Sequence, residues 1–361
     1  MYPALAVLQA QNDLNPDWEK GGGLLWVGGE NAMEGEIISR LNIAYQDIPA
    51  AGLHGVGLKS LPGNLSKLFR GYLKARKIIR EFKPDVLFFT GGYLAVPVAY
   101  AGRSVPSLVF IPDIEPGLAI RAITNLVDRI AVSVEETKNY TPVSKPVLLS
   151  GYPVRKQMLD WTREKALAAL ELEPDLPVLL VFGGSKWARS INLALQPLLP
   201  ELLAEMQIVH ITGKLDWEVM KSNRDQLSDS EQKNYRIYPF LHERMGAALR
   251  SADLAVSRSG ASILGEYSLF ELPSILVPYP HAWRYQKTNA SYLVDRGAAL
   301  LIRDEDLPQL LLSEIQSLIR NSEKRKAMVE ALQRLARPDA ANGIARQLQK
   351  LAGQDAGGDQ K

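Results

Sequence analysis

The sequence predicts an α/β protein whose two halves each fold around a doubly wound parallel sheet. Three observations predict it. Short apolar runs alternate with amphipathic stretches from end to end, at the spacing of βα units. Three such runs in the second half open into a glycine-rich or polar turn and then a helical pattern: Val178–Phe182 into Gly183-Gly184-Ser185, Leu254–Ser257 into Arg258-Ser259-Gly260-Ala261, and Ile275–Pro278 into His281…Asn289. The first half repeats this architecture, and 361 residues suffice for two separate cores.

In the first half the strand patterns are Leu24–Val27, Ala44–Ile48, Val86–Thr90, Ser107–Ile111, Arg129–Val132 and Val147–Leu149, with a long helix over Leu65–Phe82. In the second they are Val178–Phe182, Ile208–Thr212, Arg236–Tyr238, Leu254–Ser257, Ser274–Val277 and Ala299–Ile302. Short βα connections require parallel sheets with right-handed crossovers. Gly151-Tyr152-Pro153 is a turn-prone junction, so the expected domains are 1–150 and 151–338. A last helix, about 339–352, is expected to return to the first domain, and the Gly- and Asp-rich tail 353–361 to be disordered.

Composition excludes several classes of function. There is no cysteine, so disulfides and thiolate metal sites are absent. The four histidines, His54, His210, His242 and His281, are scattered, which argues against a metal centre. A net charge of +2 gives no global attraction to nucleic acid. No apolar run reaches membrane-span length and no signal pattern opens the chain, so a cytoplasmic protein is expected.

Turns after parallel strands gather along the carboxyl edge of the sheet, where ligands bind. Glycine turns at helix N-termini present bare N–H groups and a positive dipole end to an anion. Glu266 lies about a turn and a half into its helix, where a carboxylate can accept two hydrogen bonds from a ribose diol. Gln286 and Asn289, at i and i+3, share a helix face and suit sugar hydroxyls. Together these features read as a nucleotide-diphosphate site. Neither G-x-G-x-x-G nor a Walker A loop is present, which disfavours a dinucleotide or an ATP γ-phosphate. In the first half, Thr90-Gly91-Gly92-Tyr93 and Pro112-Asp113-Ile114-Glu115-Pro116-Gly117 close adjacent strands and should face a cleft. Asp113 and Glu115 are the candidate acid–base groups there, against a plain turn-forming role.

Residues 59–83 hold eight basic side chains, Lys59, Lys67, Arg70, Lys74, Arg76, Lys77, Arg80 and Lys83, against Glu81 alone. Leu53, Leu58, Leu61, Leu65, Leu68 and Phe69 are interleaved with them or lie just upstream. Taken alone, the stretch reads as a solvated helix face over a core-facing leucine stripe. The alternative is a docking patch for an anionic membrane surface, with apolar tips among cations.

In order and spacing, Gly183-Gly184-Ser185, Arg258-Ser259-Gly260-Ala261…Glu266 and Gln286…Asn289 resemble the donor site of the bacterial MurG family. Pro3–Val7, Thr90–Tyr93 and Gly151-Tyr152-Pro153-Val154-Arg155 extend the resemblance over nearly the whole chain. It implies the GT-B glycosyltransferase fold, two facing Rossmann-like domains, and inverting transfer of N-acetylglucosamine from UDP-GlcNAc to lipid I, the undecaprenyl-linked muramyl pentapeptide, to give lipid II. By position, Arg155 and Ser185 would contact the diphosphate, and Leu241 would hold uracil through its backbone. Ala261, Ser262, Ile263, Leu264, Gly265 and Glu266 would frame the nucleotide, with Glu266 on the ribose. Gln286, with Asn289, would bind the sugar. The first domain would take the lipid acceptor beside Gly91, Gly92, Tyr93 and Glu115. The patch of Lys59, Lys67, Arg70, Lys74 and Lys77 would meet the anionic inner face of the cell membrane, making the protein cytoplasmic and peripheral. No cofactor is required and no nucleic-acid partner is implied; divalent-cation stimulation is left open.

The chain departs from the family in two places. Phe110-Ile111-Pro112-Asp113 stands where the family has His-Glu-Gln-Asn, and no strand with a Gly-Gly-His loop precedes Met1-Tyr2-Pro3. Asp113 is therefore the candidate base within this sequence. The native start is expected upstream of Met1, and the first sheet is expected to lack a central strand between Leu24–Val27 and Val86–Thr90. Two other functions compete: a related UDP-sugar transferase with another lipid or small-molecule acceptor, and a non-catalytic nucleotide-sugar-binding homologue.

Overall fold

The computed structural model describes residues 1–16, 23–30, 33–52, 61–184 and 188–353. The expectations for Ser185, for Lys59 and for the tail from 354 fall outside them. The chain divides into two compact units, Met1–Pro153 with Asp339–Lys361, and Val154–Pro338.

The first unit contains β1 (Leu25–Gly29), β2 (Ala44–Ile48), β3 (Leu87–Phe89), β4 (Ser107–Ile111), β5 (Arg129–Val132) and β6 (Val147–Leu149). All pairings are parallel. β1 and β2 pair only with each other, and β3-β4-β5-β6 form a second sheet. Among the described residues no strand joins the two sheets. Ser107–Ile111 is buried at every position, as a strand covered on both faces must be. Helix Ala340–Leu351 packs against helix Tyr2–Leu14, which returns the end of the chain to this unit.

Helix Leu61–Phe82 buries Gly71, Ala75 and Ile78, spaced to make one face. A Cβ on Gly71 would collide with the Pro49 carbonyl, so only glycine permits this approach. Leu65, Phe69 and Leu73 lie on a different stripe, 54%, 62% and 48% exposed. The leucine stripe of this helix is therefore not core-facing, and the reading of a solvated face over buried leucines is corrected.

The second unit contains β7 (Val178–Phe182), β8 (Gln207–Ile211), β9 (Tyr235–Tyr238), β10 (Leu254–Ser257), β11 (Ser274–Leu276) and β12 (Ala299–Leu301). They form one parallel sheet in the order β12-β11-β10-β7-β8-β9. The chain runs outward from β7 to β9, then returns to β10 beside β7 and continues the other way. The switch point between β7 and β10 is where an open sheet of this type offers a crevice at its carboxyl edge. Val178–Val181 and Leu254–Val256 are 0% exposed, so both strands at the switch are core on either face.

Candidate functional site

The turns that leave β7 and β10 carry the two glycine motifs to the switch point. Gly183 cannot be replaced by a residue with a Cβ without collision with the Ala188 backbone, and Gly184 has φ +78°. This turn therefore hugs the start of helix Arg189–Leu195 as only glycines allow.

After β10, the N–H groups of Ile263, Leu264, Gly265 and Glu266 turn back onto the carbonyls of Gly260, Ala261 and Ser262, which starts helix Ile263–Phe270. Ile263, Leu264 and Gly265 are buried, whereas Ala261, Ser262 and Glu266 keep partial exposure. Burial pushes the Glu266 carboxyl up to about 7; a hydrogen bond from Ser262 and the positive charge of Arg155 oppose that rise. Arg155 and Glu266, far apart in sequence, thus act on one another electrostatically. Arg155 also lies within reach of the Met158 sulfur, at 3.4 Å. A ribose diol calls for the ionised carboxylate, the form that the charge of Arg155 favours.

The amides after β11 divide their work. Gln286 is 6% exposed, and its Oε1 accepts the Tyr279 N–H at 2.8 Å. That contact fixes the orientation of its amide and leaves two N–H donors for other partners. Asn289 is 0% exposed and donates to the Ser259 carbonyl at 3.2 Å. It ties the β10 turn to helix Trp283–Val294.

Leu241 is 5% exposed, and its carbonyl accepts the Arg244 N–H at 2.7 Å. Beside it Phe240 stacks on His242, ring centroids 5.7 Å apart, with Lys214 Nζ 5.5 Å from the Phe240 ring centre. This aromatic and cationic edge adjoins the position expected to hold a base, and it was not recognised in the sequence because its members come from separate turns.

Two buried networks support these turns. In the first, Arg258 is 6% exposed and donates to Asp304 at 2.5 Å, the Val277 carbonyl at 3.1 Å and Ser190 at 2.6 Å. Its guanidinium also lies 5.2 Å from the Tyr279 ring centre. In the second, His210 receives a hydrogen bond from Tyr235 at Nδ1, 2.7 Å, and gives one from Nε2 to Asn192 Oδ1, 2.8 Å. The roles follow from Asn192, whose Nδ2 donates to the Thr212 carbonyl and to Asp216, so its Oδ1 must accept. Asp216 in turn receives Arg189 at 3.2 Å. Burial drives His210 down to about 3, so it is neutral. The chain from Tyr235 to Arg189 anchors the helix that follows the Gly183-Gly184 turn.

In the first unit Gly91 and Gly92 have φ +107° and +85°, which shape the turn after β3, and Tyr93 is exposed. Asp113 is half-buried in the turn after β4. Glu115 is a candidate acid–base group by sequence, but it is 5% exposed and paired with Arg121 at 2.8 Å. With the Arg121 Nε bond to the Pro116 carbonyl, that ion pair holds the 112–117 turn. Among the described residues no group of His, Asp or Glu is placed to hold a metal ion.

The similarity of the chain to known proteins follows this geometry. The glycosyltransferase family 28 N-terminal domain matches residues 1–131, and the C-terminal domain of the same family matches 178–344. A UDP-N-acetylglucosamine–N-acetylmuramyl-(pentapeptide) pyrophosphoryl-undecaprenol N-acetylglucosamine transferase from Roseiflexus is 36% identical over 97% of this chain and 92% of its own length. The protein of the same name from Desulforamulus reducens is also 36% identical, over 97% and 95%. In fold, the chain superimposes on Acinetobacter baumannii MurG with a TM-score of 0.72 at 24% identity, covering 97% of this chain and 95% of that one. A UDP-GlcNAc 2-epimerase from Neisseria meningitidis shares the fold at a TM-score of 0.65 and 13% identity, covering 96% and 97%. Two family domains in order, relatives alike over nearly their whole length, and a GT-B-type pair of parallel-sheet units lead to one assignment: the chain belongs to glycosyltransferase family 28, in its MurG-type branch.

Proposed function

We infer that the chain transfers N-acetylglucosamine from UDP-GlcNAc to an undecaprenyl-pyrophosphoryl muramyl-pentapeptide, with inversion at the anomeric carbon. The observation that carries this is the β10 turn and helix that set Glu266 beside the β7/β10 switch point, in a chain whose full-length relatives bear that activity in their names. The acceptor hydroxyl attacks the anomeric carbon as UDP leaves from the opposite face. Negative charge then grows on the diphosphate, where Arg155 and the bare N–H groups of the glycine turns stabilise it. Asp113 is the proposed base for the acceptor hydroxyl. Leu241 would hold uracil, Ala261–Glu266 the ribose, and Gln286 the sugar. UDP should bind to the second unit's residues, and calorimetry on the intact chain tests this: a Kd in the micromolar range is expected, and no heat of binding at millimolar UDP would refute the donor site.

The membrane reading rests on the first unit. Leu65, Phe69 and Leu73 form an exposed apolar stripe on a helix whose Lys67, Arg70 and Lys77 are also exposed. Lys74 is half-exposed and bonds Asp47 at 2.6 Å. No described helix is long and apolar enough to cross a membrane, so attachment would be to the surface. Replacing Lys67, Arg70, Lys74 and Lys77 with Glu should abolish sedimentation with vesicles of anionic lipid and leave UDP affinity unchanged. Parent binding should fall steeply between 0.05 and 0.5 M salt, on the order expected from screening. Parent protein that ignores such vesicles, or binds them equally at both salt concentrations, would refute attachment by this patch.

A further inference from the structure

An arginine that directly follows a strand at a nucleotide site invites the reading of a phosphate ligand. Arg258 is instead turned into the protein, and its contacts reach beyond its own turn. Ser190 begins the helix after β7, the Val277 carbonyl and Tyr279 follow β11, and Asp304 follows β12. Ser190 also donates to Asp304 at 2.7 Å, which closes the cluster. β12, β11, β10 and β7 are consecutive neighbours in the sheet. One guanidinium therefore links the carboxyl-end turns of four adjacent strands, among them those that lead to Glu266 and to Gln286.

A second link leads from this cluster to the sugar end of the site. Arg258 lies against the Tyr279 ring, and the Tyr279 N–H is the group that holds Gln286 Oε1. Asn289, one helical turn on, holds the Ser259 carbonyl, next to Arg258 in the chain. The orientation of the Gln286 amide is thus set from both sides by the segment that Arg258 anchors. Arginine suits this position because its planar fork spans acceptors in fixed directions; a lysine ammonium is a compact charge without that fork.

We propose that Arg258, with Ser190 and Asp304, is a positioning residue that fixes the Gln286 amide and thereby sets discrimination among donor sugars. The proposal rests on the donor-site reading given above. A site that meets a sugar hydroxyl with a rigid amide rejects the epimer that moves this hydroxyl; a loosened amide tolerates both. Gln286 is assigned to the sugar and not to the nucleotide, so UDP itself should be little affected.

Two variants test it, Arg258→Lys and Ser190→Ala. The first keeps the charge beside Asp304 and loses the fork; the second removes one hydroxyl and no charge. Amide hydrogen exchange at Tyr279 should become at least tenfold faster in Arg258→Lys and about threefold faster in Ser190→Ala, with exchange in β7 and β10 unchanged. Calorimetric UDP affinity should stay within threefold of the parent. The ratio of kcat/KM for UDP-GlcNAc over UDP-GalNAc, its C4 epimer, should fall at least tenfold in Arg258→Lys. Unchanged Tyr279 exchange in both variants would overturn the proposal. So would equal losses for UDP binding and for both sugars, the pattern of general destabilisation. If Arg258→Lys does not fold, Ser190→Ala decides by the same readings. Failure of the parent to bind UDP would count against the donor site itself, and Tyr279 exchange would still decide whether Arg258 positions Gln286.

Discussion

Replacing Glu266 with alanine is expected to weaken UDP binding by more than a hundredfold. A carboxylate that accepts both hydroxyls of a ribose makes two charge-assisted hydrogen bonds, together about 3 kcal/mol, and about 1.4 kcal/mol is a factor of ten. The pH dependence provides a sharper form of the prediction. In the unliganded protein burial holds the Glu266 carboxyl up at about 7. A raised folded value means that the protonated form stabilises the fold at acid pH, and that this contribution is lost as pH rises through about 7. Ribose hydroxyls call for the ionised form, so binding releases a proton from the fraction still protonated. UDP affinity should therefore rise between pH 6 and pH 8 and level off above. Glu266→Gln keeps the shape and cannot ionise, so subtracting its profile removes the ionisation of the diphosphate. A parent-minus-variant difference that is flat across this range would show that Glu266 does not meet the nucleotide, as would an unchanged Kd in the alanine variant.

Acid should destabilise the second unit through His210. Its ring is buried and neutral, with burial holding it down to about 3. Protonation would set two N–H donors against Tyr235 and Asn192, and the Tyr235 hydroxyl would have to give up the hydrogen bond it donates. The unfolded chain takes up a proton near the ordinary histidine value, so stability is full above that value and falls as pH drops toward 3. Between pH 7.5 and pH 5 the expected loss is about 2 kcal/mol, at about 1.4 kcal/mol per pH unit once below the unfolded pKa. Denaturant unfolding at these two pH values, in parent and in His210→Gln, isolates the effect. The variant should be less stable than the parent at pH 7.5, with at least 1.5 kcal/mol of the acid-induced loss removed, on the order of that single-site linkage. Equal acid-induced losses in the two proteins would contradict a neutral buried imidazole.

Much of the fold was legible because its determinants are local. Buried parallel strands are continuous apolar runs, so Ser107–Ile111, Val178–Phe182 and Leu254–Ser257 could be bounded by composition alone. Strand ends such as Thr90, Thr212 and Val277 were placed one residue long, where the apolar pattern outlasts the ladder. Positions of the site residues along the chain were legible for the same reason: each follows a strand. Their partners were not. The ion pair of Glu115 with Arg121 and the bond from Asn289 to the Ser259 carbonyl could not be read from the sequence. The cluster at Arg258 draws on Ser190 and Asp304, more than a hundred residues apart, and only the strand order brings them together. Helix periodicity on Leu61–Phe82 was ambiguous because two apolar stripes run along it. Small residues, Gly71 and Ala75, hold the buried one, and the larger Leu65, Phe69 and Leu73 remain outside.

The central claim, sugar transfer to a lipid-linked acceptor, is tested most directly by following labelled N-acetylglucosamine. The chain is incubated with UDP-GlcNAc carrying the label in the sugar, with and without a lipid I analogue bearing a short prenyl chain. The account predicts label in a disaccharide-bearing product joined by a β linkage, UDP released in equal amount, and little release when the analogue is left out. UDP bound by calorimetry with no labelled product would contradict transfer and favour a nucleotide-sugar-binding homologue. Release of free N-acetylglucosamine at the same rate with and without the analogue would contradict the acceptor assignment.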